Sequence, residues 1–239
     1  MGYGQFCPIA KATEILGEKW TLLILRELLM GGSRFNELQR GLPLISPAVL
    51  SKRLKSLETH GLVFRRRLAG QKGYAYLPAQ SARELEPVLK SLGDWGMRWA
   101  REEMADSDYD VGLLMLYLER SVRPESLPGE ETTLRFHFED LPEHPDWWIL
   151  IAGDQVDVCT TNPQRDVDVH FRTTVRKMTE VWMGDTSYRA AIRAGDLELV
   201  GPRALTRDVS AWLEGCPFSA DPSTREAVEI LPPARGRAD

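Results

Sequence analysis

The stretch from Gly32 to Leu77 constrains the fold most, because each element in it and each break between elements is written in residue chemistry. Ser46 followed by Pro47 marks a helix start: the serine oxygen can accept from first-turn N–H groups, and proline at the first helical position has no N–H to leave unpaired. From there Leu50, Leu54 and Leu57 fall at i, i+4 and i+7 and give one narrow apolar stripe, with Ala48, Ser51, Lys52 and Lys55 pointing away from it. Gly61 after His60 supplies the left-handed residue that ends such a helix. A strand from Leu62 to Leu68 carries Arg65, Arg66 and Arg67, and a Gly70-Gln71-Lys72-Gly73 turn leads into a returning strand from Tyr74 to Leu77. Upstream, Ser33 can cap a short helix with Phe35 and Leu38 toward the core, and Gly41-Leu42-Pro43 breaks it before the longer helix begins.

Helix, turn, helix, hairpin is the winged helix-turn-helix order. A helix that reads a DNA groove must present short and cationic side chains to base edges and phosphates, and a hairpin beside it must be slim and positive. The expected contacts are Arg34, Ser46, Ala48, Ser51, Lys52, Arg53 and Lys55 from the helices, and Arg65, Arg67, Gln71 and Lys72 from the hairpin. A plainer reading stands beside it, since basic faces are often only solvated and helix-turn-helix folds also serve as protein interaction modules.

The runs Cys7-Pro8-Ile9, Glu18 to Leu28 (EKWTLLILREL), Arg34 to Leu38 (RFNEL), Ile45 to Lys55 (ISPAVLSKRLK), Leu57-Glu58 and Gly61-Leu62-Val63 occur in order over about the first hundred residues. In these the chain closely resembles the HxlR family of bacterial winged-helix regulators. The resemblance implies a homodimer on an inverted-repeat DNA operator, commonly as a repressor, with dimer contacts from helices outside the reading head.

A net charge of −5 sits badly with a DNA-binding chain until it is divided. Residues 1–104 hold 16 basic against 10 acidic side chains, a surplus of six positive charges, while residues 105–239 hold 14 against 25, a surplus of eleven negative. Only the first half is suited to a polyanion. Three cysteines, at positions 7, 159 and 216, with no close spacing argue against a disulfide framework and for a reducing compartment, with the cytoplasm as the expected location. The apolar run from Trp20 to Met30 is too short and too charged to span a bilayer, so no membrane partner is expected.

Leu85, Val88, Leu89, Leu92, Trp95 and Trp99 keep helical spacing, and Pro87 implies a kink or restart. The two tryptophans are expected to pack against a second subunit or the next domain, or else against their own winged domain. The acidic segment Glu102 to Asp110 marks the boundary between a winged domain, 1–104, and a second domain, 105–239. Val111 to Val122 reads as an apolar helix. Alternation in Leu134 to Phe138, Val156 to Val158 and Val167 to Phe171, with Trp147 to Ala152 apolar on both faces and Gly153-Asp154 as a hairpin turn, reads as a strand meander. Helical spacing returns at Val175 to Trp182, Tyr188 to Ile192 and Leu205 to Leu213, with a short strand, Leu197 to Val200, between glycines, and the tail from Pro232 to Asp239 is expected to be loose. The fold class is therefore α+β, with a mainly antiparallel sheet in the second domain. The order Asp168-Val169-His170-Phe171, Gly184, Ala190-Ala191 and Ala194 to Gly201 (AGDLELVG) resembles the sterol carrier protein fold. That resemblance implies an apolar ligand site, with Phe136, Phe138, Trp148, Met178 and Trp182 as wall residues; ordinary core is their plainer role.

His60, His137, His144 and His170 share no metal-ligand spacing with the cysteines, and no CxxC, HExxH, phosphate loop or nucleophile elbow occurs, so neither metal, cofactor nor catalysis is expected. Cys7 precedes a helix start at Pro8, with Lys11 one turn on, where a thiolate is favoured. The family resemblance implies a redox sensor at this position in some members. Three functions remain open: a dimeric DNA-binding regulator with a signal-receiving second domain, a hydrophobic-ligand carrier with a vestigial winged domain, and an enzyme on the sterol carrier scaffold.

Overall fold

A computed structural model describes residues 2–68 and 73–218. The first part of the chain runs α1 (Pro8–Leu16), α2 (Thr21–Leu29), α3 (Phe35–Arg40), α4 (Pro47–Thr59), the antiparallel hairpin β1 (Val63–Arg67) and β2 (Tyr74–Pro78), α5 (Gln80–Arg83) and α6 (Glu86–Trp99). Ser46 caps α4, its hydroxyl accepting from the Val49 N–H at 3.3 Å, and Gly61 leaves the helix at φ +71°. Leu50, Leu54 and Leu57 are buried on Ile24, Leu25 and Leu28 of α2 and Leu38 of α3, which together form one apolar core.

The start of α3 differs in detail from the expectation: Arg34 is its N-cap, and Ser33 lies one residue outside. The Glu37 carboxylate reaches back to accept from the N–H groups of Ser33 (2.9 Å) and Arg34 (3.0 Å). Burial pushes that carboxyl up, but these donors outweigh it and hold it below the ordinary value. Arg34 also bridges to Ala75, and Tyr76 donates to the Ser33 carbonyl, so the segment before α3 adds a third short rung to the hairpin. The chain restarts at Pro87, as the fixed φ of proline in a first turn requires, and separates α5 from α6.

After two 3-10 turns come α7 (Val111–Ser121), β3 (Glu131–Phe138), β4 (Asp146–Ala152), β5 (Gln155–Cys159), β6 (Val169–Thr173), α8 (Val175–Trp182), α9 (Tyr188–Ala194), β7 (Leu197–Val200) and α10 (Arg203–Thr206). The five strands lie in the order β5-β4-β3-β6-β7. All neighbours are antiparallel except β3 and β6, which run parallel, so the expected meander holds for β3 to β5 and then crosses over. Leu205 to Leu213 is not one helix: α10 ends at Thr206, and a 3-10 turn at Val209–Ala211 follows.

One face of the sheet is apolar. Leu134, Phe136 and Phe138 of β3, Val169 and Phe171 of β6, Ile149 and Ile151 of β4 and Leu197 of β7 bury there against α7, α8 and Trp212. Phe136 and Phe171 stack with centroids 4.4 Å apart, a close aromatic contact that adds to their area burial. The two cores meet at α2 and α7. Glu27 of α2, with no exposed surface, accepts from the Tyr117 hydroxyl (3.0 Å) and Arg120 Nη1 (2.8 Å) of α7 and from Arg26 Nη2 (2.9 Å). Burial first, and the Glu27 charge beside it, push the Tyr117 hydroxyl well above the usual tyrosine range, while Arg26 and Arg120 oppose the shift.

Candidate nucleic-acid interface

The geometry of α4 turns the buried leucine stripe into a docking constraint: with Leu50, Leu54 and Leu57 inward, the face at Ser46, Ala48, Ser51, Lys52 and Lys55 is exposed. Its N-terminal end carries small residues and the positive end of the helix dipole, which suits close approach to phosphate, and its middle carries the two lysines. Arg34 is exposed at the start of α3. Beside α4, β1 exposes Arg65, Arg66 and Arg67 in succession, and strand alternation puts Arg65 and Arg67 on one face and Arg66 on the other. Arg65 stacks its guanidinium over the Tyr74 ring, 4.3 Å to the centroid, and lies 3.9 Å from Glu58, so the strand face is ordered. Gln71 and Lys72, the hairpin contacts expected from the turn, lie outside the described residues, as does the tail from Pro232.

Arg53 is placed differently from its neighbours on α4. Its side chain turns back onto the α1–α2 connection, forming an ion pair with Glu18 and donating from Nε to the Lys19 carbonyl at 3.1 Å. The sequence expectation of a DNA contact here meets a side chain already committed to holding α4 against α2. Leu44, in the turn between α3 and α4, is 88% exposed; an isolated leucine after Pro43 carries no directional signal in the sequence.

The five expected wall residues of a ligand site do not line one cavity. Phe136, Phe138 and Met178 are fully buried in the packed sheet core. Trp148 pairs with Arg135 in register and so lies on the opposite face of the sheet from Phe136. Trp182 borders the cavity at the junction of the two cores. Cys7 caps α1 and is partly buried, while Lys11, expected beside it, is held by Glu14 at 3.0 Å. Among the described residues no group of His, Cys, Asp and Glu is arranged to hold a metal ion, and no helix is long and apolar enough to cross a membrane.

The family model described as HxlR-like helix-turn-helix matches residues 15–104. An uncharacterized HTH-type transcriptional regulator of Synechocystis sp., sll1512, is 34% identical over 116 residues, which is 46% of this chain and 82% of that protein. Another such regulator, YvaP of Bacillus subtilis, is 34% identical over 108 residues, 44% of this chain and 100% of that one. Among solved structures, the reduced form of the transcriptional regulator YodB from B. subtilis is 29% identical over 41% of this chain and 98% of that chain, with a TM-score of 0.35. The chain belongs to the HxlR-like helix-turn-helix family and is a DNA-binding transcriptional regulator.

Proposed function

We propose that the chain works as a homodimeric repressor on an inverted-repeat operator, with α4 in the major groove and the β1–β2 hairpin along the backbone. The observation that carries this reading is the exposed face of α4, from Ser46 to Lys55, set next to three consecutive exposed arginines on β1. The contacts proposed are Arg34, Ser46, Ala48, Ser51, Lys52, Lys55, Arg65 and Arg67, with Gln71 and Lys72 at the turn. Arg53 is proposed as the residue that positions α4. Titrating the DNA that flanks its own gene with the full chain, at several salt concentrations, tests the reading: one short palindromic segment should bind far more tightly than unrelated duplex.

Support for the dimer comes from α6. Val88, Leu92, Trp95 and Trp99 form one stripe along that helix and all are exposed, the tryptophans at 57% and 58%. Phe6, wholly exposed, and Ile9 on α1 add further uncovered apolar surface. Such a patch on a soluble chain is an interface signature. Two-fold symmetry then places half-sites about 10 bp apart, or a multiple of that. The expected result in sedimentation is a dimer at micromolar concentration. Trp95→Glu with Trp99→Glu should give a folded monomer whose operator affinity is lower by at least about a hundredfold, because each half-site is then bound alone. A wild-type monomer on DNA would contradict the dimer.

We further propose the division into a winged domain, 1–104, and a second domain, 105–239, the latter of sterol-carrier type and receptive to a hydrophobic effector. Two separate apolar cores and a five-stranded sheet with helices against one face support that division.

A further inference from the structure

We infer that the effector site lies in the cavity between the two cores, and that it takes a hydrophobic molecule with a single anionic head. This rests on the proposed regulation and gives it a place. The cavity has a volume of about 510 Å³, within the range of small-molecule sites. Its walls come from both halves: α2 and α6 on one side, α7 and α8 on the other. Four of the seven methionines in the chain, Met30, Met97, Met104 and Met183, line it. Unbranched thioethers adapt to an irregular apolar guest.

Two glycines inside α6 fit the same account. Glycine in a helix interior is unfavourable, so each one needs a reason. At Gly93 a Cβ would meet the Phe218 carbonyl at 2.6 Å, and the close passage of that segment requires its absence. At Gly96 a Cβ would meet nothing within 4 Å, and the residue borders the cavity. The missing side chain there serves to leave space.

The Arg26 guanidinium selects the head group. Arg26 lines the cavity, and its hydrogen bonds to Glu27 and to the Gly41 carbonyl use Nε and Nη2, leaving Nη1 to meet a ligand oxygen. Glu27 is shared with Arg120, so two guanidinium groups meet one carboxylate, while Asp108 and Asp110, which also border the cavity, accept from the N–H groups of Ala105 (2.8 Å) and Leu113 (2.7 Å). Arg101, also on the wall, is neutralised by Asp185. A carboxylate head at Arg26 takes the guanidinium edge that Glu27 and the Gly41 carbonyl do not use, and the tail occupies the methionine-lined space.

Occupancy reaches the DNA through α6. Leu85 and Leu89 hold that helix to its own core, Gly93, Gly96 and Met97 face the cavity, and Val88, Trp95 and Trp99 form the exposed stripe. A guest that pushes on α6 therefore moves the surface proposed to set the spacing of two reading heads.

The test uses the full chain without DNA, followed by intrinsic tryptophan fluorescence and by calorimetry, with dodecanoate, dodecanol and dodecylamine as probes. Dodecanoate should bind saturably at one site per chain, with the alcohol about tenfold or more weaker and the amine weaker still. Gly96→Phe fills the cavity and should abolish binding. Arg26→Gln, which leaves the volume intact, should bring dodecanoate down to the affinity of dodecanol. Both variants are to be compared by thermal melting, and if Gly96→Phe does not fold, the Arg26→Gln comparison decides. No dodecanoate binding, equal binding of all three probes, or dodecanoate unaffected by Arg26→Gln would overturn the inference. Because no DNA is present, those outcomes leave the operator reading standing. Absence of operator binding by the ligand-free chain in the separate DNA titration, with dodecanoate binding intact, would sink the operator reading alone.

Discussion

Lys52→Ala combined with Lys55→Ala is expected to remove specific operator binding while leaving the melting temperature unchanged. Both side chains are exposed on the face of α4 opposite its leucines, so neither contributes packing that folding depends on. Binding is another matter, because each cation that neutralises a phosphate releases condensed counterions. The slope of log affinity against log salt is about −0.9 per phosphate, so a dimer that loses four lysine contacts should lose about 3.6 from the magnitude of that slope. Specific affinity should fall by at least about a hundredfold, since each lost charged contact is worth about 1.5–3 kcal/mol. Arg53→Ala makes the internal contrast. Its guanidinium is bound to Glu18 and the Lys19 carbonyl, so its loss should loosen α4 and lower the melting temperature, with the salt slope changed little. A double lysine variant with unchanged affinity and slope would place the reading surface elsewhere.

The reading head was legible in the sequence because its signals are local. Ser46-Pro47, the leucine spacing after it, Gly61 and the restart at Pro87 are each decided within one or two turns of chain, and each element formed where those residues put it. The tryptophan stripe of α6 left three destinations open, and exposure of Trp95 and Trp99 shows that neither its own winged half nor the described part of the second half covers it. The second half was legible as elements and less so as an arrangement. Parallel pairing of β3 with β6 is a long-range choice with no marker in either strand. Trp147 and Trp148 look alike in a run that is apolar on both faces, and only register assigns them to opposite sides of the sheet. Phe136, Phe138 and Met178 are bulky enough for either a wall or a core, and close packing against α7 and α8 made them core. The cavity and the role of Glu27 have no marker in the sequence for a common reason: both depend on α2 meeting α7, ninety residues apart in the chain.

That meeting point should be among the most sensitive places in the molecule. Glu27→Ala is expected to cost about 3–5 kcal/mol of folding stability, the range for breaking a buried ion pair by removing one partner. Glu27 has no exposed surface and satisfies Arg26, Arg120 and the Tyr117 hydroxyl at once, so its removal takes away the one carboxylate that both guanidinium groups bond to. Gly41→Ala attacks the same point from the other side. Gly41 has φ −72°, which any residue adopts, yet a Cβ there would fall 1.8 Å from Glu27 Oε2, so it is space and not backbone conformation that requires the glycine. Both variants should therefore unfold at much lower denaturant concentration, and Glu27→Ala should also separate one cooperative transition into two as the winged half and the sheet half lose their shared anchor. Replacing Arg120 by Met in the Glu27→Ala background should recover part of the loss, because one of the stranded charges is then gone. If Glu27→Ala costs less than about 1 kcal/mol, in the range of an exposed pair, the junction is solvated in solution and the two halves are joined only by the chain between them.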